Sequence, residues 1–281
     1  MNINPIKEKF DTQWASQDIE KHIKDCPSTE IFSIFEKYIK KGMKILESGC
    51  GSGKWVFYFH RKGYDITGLD WSQQTVDRIK TYDGNIKIIQ GDARDTKIND
   101  EEYDMILSLG TVEHSVDGPE LALKEAYRTL KNDGTLIITV PIVTPVRKLV
   151  YTIKKPFQLI KSFMLKRKNG DKFNDLITLL KKQINGLQLM HGINDKGYYF
   201  FEYRIPLKTF DRYVRNAGFK VLEIFPAFKT DAVFHDITPF GGKWDYENGR
   251  AELSLLARIL LKLFPNLFYH MIVCVCQKRM D

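Results

Sequence analysis

The sequence is poor in cysteine, in metal-ligand patterns and in long apolar runs, and each shortage removes a class of protein. Its 281 residues hold four cysteines, Cys26, Cys50, Cys274 and Cys276, without a Cys-x-x-Cys pair, so a zinc ribbon or finger is excluded. Cys274 and Cys276 alternate within an apolar run and read as small hydrophobes on one side of a strand. Reduced thiols in a cytoplasmic protein are expected. No apolar run reaches the ~18 residues that crossing a bilayer requires. The longest, near Gly134–Val146 and Leu263–Cys276, are shorter and contain proline. The opening MNINPIKEKFDTQW has no apolar stretch suited to a signal peptide. Repeats and low-complexity tracts are missing too. These absences predict a soluble, metal-independent protein that touches a membrane at most peripherally.

What is present is an ordinary globular composition, 43% hydrophobic and 28% charged, on a basic chain of net charge +8. That charge calls for an acidic partner without identifying it: nucleic acid, an anionic lipid surface and an anionic small molecule all fit. It is also unevenly spread. Residues 142–205 carry thirteen Lys/Arg against four Asp/Glu, which leaves the remainder of the chain about neutral.

From residue 41 to 141 strands and helices alternate. Lys44–Ser48, Asp65–Leu69, Ile86–Gln90, Tyr103–Leu109 and Thr135–Val140 read as strands. Gly53–Lys62, Ser72–Thr81 and Pro119–Leu130 read as helices, with Ser72 as an N-cap, Pro119 at a helix start and Gly134 beyond a helix end. This rhythm means βαβ units and a mainly parallel sheet. Residues 1–40 read as an N-terminal helical lid and 142–205 as a basic helical insertion capping the substrate. Residues 206–281 complete the sheet, with Leu207–Ala217 a helix, Phe219–Phe225 and Tyr269–Gln277 strands, and Ala251–Phe264 an apolar helix. Pro226–Gly249 is a second irregular insertion.

The turn ILESGCGSG, Ile45 to Gly53, joins the first strand to the first helix. Gly49, Gly51 and Gly53 let backbone approach a ligand and bring a helix N-terminus to its polar groups. Lys54 stands where a dinucleotide fingerprint needs its third glycine, and Trp55 stands where a P-loop needs Ser or Thr. Without a diphosphate to cradle, the ligand should be a nucleoside with a short charged tail. Three carboxylates stand at strand ends, where open α/β sheets bind ligands. Glu47 can face a cationic amino-acid tail, Asp70 both ribose hydroxyls, and Asp92 an adenine amino group.

ILESGCGSGKW, ITGLDWS, QGDARD, YDMILSLGTVEHSVD and ALKEAYRTLKNDGTLIITVP together resemble the motif series of class I S-adenosylmethionine-dependent methyltransferases. They are most similar to the small-molecule, methyltransferase type 11-like branch with its quinone and sterol enzymes. The resemblance covers about residues 40–142, with a weaker echo in LKTFDRYVRNAGFKVLEIF. It implies a Rossmann-like, seven-stranded, mostly parallel sheet with an antiparallel last strand, and S-adenosylmethionine as cofactor, leaving S-adenosylhomocysteine. It gives Glu47, Asp70 and Asp92 the roles already argued, sets Trp71 beside the donor, and has Ala93 offer its amide to adenine. Ser108 and Leu109 would line the donor pocket. Ser48 departs from the pattern, which often has Leu or Val there.

Methyl transfer from a sulfonium needs alignment first, and a base only for a weakly acidic hydroxyl or a protonated amine. His114, just after the fourth strand, is the leading base, and Glu113 beside it serves a helix start as well. His191, Tyr198, Tyr199 and His235 are placed to touch substrate from the irregular regions. Trp14 either closes the lid over the donor or anchors the first helix. TPVRKLVYTIKKPFQLIKSFMLKRK contains no acidic residue, and Val146, Leu149, Val150, Ile153, Phe157, Ile160 and Met164 recur at helical spacing. Pro156 would kink or divide that helix. Its apolar stripe either packs on the enzyme itself or lies on an anionic membrane through residues 146–168.

The leading reading is transfer to oxygen or nitrogen of a small or lipid-linked, anionic acceptor. The alternatives are an RNA methyltransferase, a nicotinamide oxidoreductase and a non-catalytic S-adenosylmethionine-binding protein. SLGTVEH after the fourth strand lacks the Asp/Asn-Pro-Pro-aromatic motif that holds an exocyclic base amine, and the failed glycine spacing disfavours a nicotinamide.

Overall fold

The computed structural model describes residues 5–170, 172–245 and 250–279, in two compact units. The first comprises Met1–Val140, Phe210–Ile224 and Val273–Asp281, and the second Pro141–Thr209 and Phe225–Ile272.

The first unit opens with three short helices, α1 (Pro5–Ala15), α2 (Ile19–Asp25) and α3 (Phe32–Tyr38). The alternating core follows: β1 (Lys44–Ser48), α4 (Lys54–Arg61), β2 (Asp65–Asp70), α5 (Gln73–Tyr82), β3 (Lys87–Gln90), β4 (Tyr103–Leu109), α6 (Glu120–Thr129) and β5 (Leu130–Pro141). In the second unit lie α7 (Pro145–Asn169), α8 (Leu176–Leu180) and a hairpin of β6 (Gln188–Asn194) and β7 (Gly197–Arg204). The chain then runs through α9 (Leu207–Asn216), β8 (Phe219–Ala227), α10 (Lys229–Asp236), β9 (Gly242–Asp245), β10 (Arg250–Leu253), α11 (Leu255–Leu263) and β11 (Met271–Lys278).

Seven strands form one sheet in the order β3-β2-β1-β4-β5-β11-β8. The first five pair parallel, while β11 runs antiparallel to both neighbours, giving the Rossmann-like sheet expected. Central strands of such a sheet are covered on both faces, which is why they read as continuous apolar runs rather than alternating ones. Ile45, Leu46, Met105, Ile106, Leu107, Leu136, Ile137 and Ile138 are all buried accordingly. Ser72 caps α5 by accepting from the Thr75 amide. Gly134 ends no helix: the chain passes directly from α6 into β5, which contains it.

The second unit holds most of the departures from the sequence reading. The aromatic segment thought irregular is the β6/β7 hairpin, closed by Asp195-Lys196, with Asn194 accepting from the Lys196 amide. Its run of Tyr and Phe has the bulky side chains that suit a pleated surface. Pro156 does not divide α7, which runs unbroken from Pro145 to Asn169. Residues 152–157 are exposed, so water reaches the carbonyl that Pro156 leaves unbonded. In the second insertion, residues 246–249 lie outside the described residues; around them stand α10 and the β9/β10 hairpin. Val146 joins Ala232, Val233, Ala257 and Phe268 in a core shared by α7, α10 and α11. Val150 is half-buried, and the rest of the apolar stripe of α7 faces solvent, Phe157 at 70% exposure, beside Leu149, Ile153, Ile160, Phe163 and Met164. No helix among the described residues is long and apolar enough to cross a membrane.

Candidate functional site

The turn after β1 is built from backbone that only glycine adopts freely. Gly49, Gly51 and Gly53 have φ of +76°, +50° and +77°. The Gly49 and Cys50 amides both donate to the Leu69 carbonyl, at 2.7 and 2.9 Å, tying the turn to the end of β2. A Cβ on Gly49 would overlap the Thr111 side chain, whose hydroxyl donates to the Ser48 carbonyl at 3.1 Å. One on Gly51 would stand 2.9 Å from the Trp14 indole. Gly53 caps α4 without a side chain, leaving that helix start open.

The carboxylates differ in state. Glu47 is buried, one of its oxygens (Oε2) has no hydrogen-bond partner, and burial pushes its carboxyl up to about 8. Asp70 is buried too, and its two oxygens accept from the Gly51 and Ser72 amides, both at 2.9 Å. Burial moves its carboxyl up, against the downward pull of those amides. Asp92 is half-exposed and gripped by Arg94, whose Nε donates at 3.0 Å to one oxygen and Nη2 at 2.7 Å to the other. This holds the Asp92 carboxyl below its usual range. An adenine amine at Asp92 would therefore share that carboxylate with Arg94. Ala93, Ser48 and Ser108 border one small interior cavity with Val112 and the apolar face of α6. Trp71 is half-buried, its carbonyl accepting from the Gln90 side chain at 3.0 Å, and Leu109 is half-buried at the end of β4.

His114 ends a short 3₁₀ turn, Val112–His114, behind β4. Its ring meets the edge of Phe10 with centroids 4.9 Å apart, and Phe10 stacks on Trp14 at 5.8 Å. The helix α1 therefore lies over the glycine turn. Arg78 of α5 fastens it by donating to the Trp14 carbonyl at 2.6 Å, and the Ser72 hydroxyl donates to Asp11. The sequence reading named Trp14 but missed Phe10, Asp11, Arg78 and Thr111. The i, i+4 spacing of Phe10 and Trp14 was the one available signal.

The four loop candidates fall in the second unit. His191 and Tyr198 face each other across the hairpin with ring centroids 5.0 Å apart, and burial lowers the His191 imidazole. Tyr199 pairs with Gly192 on the same hairpin. His235 lies in the last turn of α10 beside His270, with ring centroids 5.6 Å apart.

Residues 46–138 match a family described as a methyltransferase domain. The chain is 25% identical over 199 residues to a ubiquinone biosynthesis O-methyltransferase of Pelagibacter ubique, covering 69% of this chain and 77% of that protein. It is 29% identical over 123 residues to a demethylmenaquinone methyltransferase of Staphylococcus aureus, covering 41% of this chain and about half, 51%, of that protein. Among solved structures, a SAM-dependent methyltransferase of Methanosarcina mazei superposes with a TM-score of 0.57 at 14% identity, over 88% of this chain and 98% of its own. Identity that low speaks for the fold alone. The family match spans the glycine turn, all three carboxylates and His114.

Proposed function

We propose that the chain is a class I S-adenosylmethionine-dependent methyltransferase and that it methylates an oxygen or nitrogen of a small-molecule or lipid-linked acceptor at an anionic membrane surface. The residues present fit the cofactor: a buried carboxylate with an open oxygen (Glu47) stands behind a three-glycine turn where a charged tail needs it. When bound, the cofactor supplies an electrophilic methyl group on a sulfonium. Glu47 takes the amino-acid tail, Asp70 the ribose hydroxyls, and Asp92 with the Ala93 amide the adenine. Ser108, Leu109 and Trp71 line the pocket, and α1 shields it from water through Phe10 and Trp14. His114 accepts the proton of an acceptor hydroxyl or ammonium.

Glu47 makes the donor step pH-dependent. Its folded value of about 8 lies above the ordinary 4.5, so the free protein holds it protonated at neutral pH. Burial therefore costs the free protein stability as pH rises from 4.5 toward 8, and none below. A cationic tail favours the carboxylate, so binding at pH 7 is expected to release about one proton, and affinity to tighten about tenfold from pH 6 to 7. Calorimetry in buffers of differing protonation enthalpy reads this directly. Proton uptake, or none, would show that Glu47 does not face the tail.

The acceptor class rests on α7, a helix without acidic residues whose exposed apolar stripe is interleaved with lysines. The names of the quinone relatives support a small-molecule acceptor. The test supplies methyl-labelled donor with a total lipid extract in phosphatidylglycerol vesicles, a water-soluble metabolite extract, or total RNA. Label is expected in the first or second pool, and label in RNA alone would overturn the reading. Vesicle sedimentation should fall severalfold in the variant Phe157→Ser/Phe163→Ser/Met164→Ser, whose positions are all exposed. Unchanged sedimentation would remove the membrane from the proposal.

A further inference from the structure

Two arginines of the second unit occupy opposite states. Arg147 is completely buried and hydrogen-bonded on all three nitrogens. Its Nε donates to Asp236 at 2.9 Å, its Nη1 to the His270 carbonyl at 2.7 Å and the Ile142 carbonyl at 3.2 Å, and its Nη2 meets His270 Nδ1 at 2.6 Å. Arg204, at the end of β7, is 16% exposed, and its ion pair with Glu202 is loose. Its Nε is shut off from solvent without a hydrogen-bond partner, and the Glu202 carboxylate stands 3.8 Å away, beyond hydrogen-bond reach. Backbone contacts fix its place beside the lead into α7. Ile142 and Ile205 form a parallel bridge, and the Ile205 amide donates to the Pro141 carbonyl at 2.9 Å.

The surroundings neutralise it only in part. Asp236, the other carboxylate acting on Arg204, is engaged by Arg147, and Glu202 pairs with Arg204 without a hydrogen bond. The nearby imidazoles of His235 and His270 are shifted toward neutrality by burial and by the two guanidiniums. A guanidinium removed from most of its water with a buried N–H left without an acceptor is costly. Groups held at such a cost collect where ligands bind. A planar fork of N–H donors is matched by the two oxygens of a carboxylate or a phosphate.

We propose that Arg204 anchors an oxyanion-binding site that takes a carboxylate or phosphate monoester group. The site does not depend on the function proposed above. The test is thermal unfolding of the full chain and of Arg204→Met in chloride, acetate and inorganic phosphate at matched ionic strength, each with and without S-adenosylhomocysteine. Acetate or phosphate should raise the unfolding temperature of the unaltered protein saturably, by about 3 °C or more. The variant should lose that shift, keep the shift given by S-adenosylhomocysteine, and unfold in chloride no earlier than the unaltered protein. A shift kept by Arg204→Met would assign the anion to surface lysines. No anion shift in the unaltered protein, or a variant that unfolds several degrees early or fails to fold, would make Arg204 structural. Each of these would overturn the proposal. Failure of the S-adenosylhomocysteine shift in both proteins would instead count against the donor site.

Discussion

Asp70→Asn is expected to weaken binding of S-adenosylmethionine and S-adenosylhomocysteine by about 100-fold or more while leaving the fold intact. The carboxylate has two duties at one point. It accepts from the Gly51 and Ser72 amides, which sets the glycine turn against the start of α5. Its remaining lone pairs are the ones assigned to the ribose hydroxyls. The amide side chain keeps one acceptor oxygen but turns an N–H₂ group toward a backbone N–H, so one fastening becomes a repulsion. Hydrogen bonds to a charged group contribute about 1.5–3 kcal/mol each, and losing the equivalent of one or two gives about 3 kcal/mol, or roughly 150-fold in Kd. Stability should change less, because burial already disfavours the charged form of Asp70. Titration calorimetry gives the Kd, and far-ultraviolet circular dichroism checks the fold. Thermal shift is a second readout. At ~100-fold excess over Kd the ligand should stabilise the unaltered protein by about 2.7 kcal/mol, and the variant hardly at all at the same concentration. Binding within threefold of the unaltered protein would take the ribose away from Asp70.

The parts of this site legible in the sequence are those whose reasons are local. A turn at positive φ needs glycine at Gly49, Gly51 and Gly53, and a carboxylate closing a parallel strand sits at the ligand end of the sheet, as Glu47 and Asp70 do. Ser72 was legible as a cap for the same reason. Contacts between distant segments were not. Nothing around Asp11 tells that it meets Ser72, and nothing around Arg78 tells that it holds the Trp14 carbonyl. Asp92 was read as an open acceptor because the conformation that folds Arg94 back onto it is not written in the pattern GDARD. Periodicity identified an apolar stripe along α7 but could not say what covers it, and that stripe faces solvent. The β6/β7 hairpin was missed for a different reason: its turn, Asp195-Lys196, lacks the Asn-Gly or Asp-Gly signature that marks a tight hairpin.

Arg147 is the sharpest case of a residue whose sequence context misleads. In a helix counted as a basic surface it is an ordinary positive charge, yet it is buried and paired with Asp236, 89 residues away. Arg147→Met is expected to destabilise the protein by about 3–5 kcal/mol, because it leaves the Asp236 carboxylate buried without its partner. The Ile142 and His270 carbonyls lose a donor at the same time. At roughly 2–4 °C per kcal/mol the unfolding temperature should fall by about 10 °C. The pair itself is not a strong source of stability, since burial raises the Asp236 carboxyl even with Arg147 beside it. The double variant Arg147→Met/Asp236→Leu should therefore recover about half of the loss, and the double-mutant cycle isolates the pair from the orphaned carbonyls. An Arg147→Met protein unfolding within 1 °C or so of the unaltered one would refute the clamp. The same substitution at Arg204 is expected to have the opposite sign, unfolding no earlier than the unaltered protein. Two arginines in one cluster, one hydrogen-bonded on all three nitrogens and one left with a buried Nε–H unpaired, should thus separate in a single thermal experiment into a residue that holds the unit together and a residue held ready for a ligand.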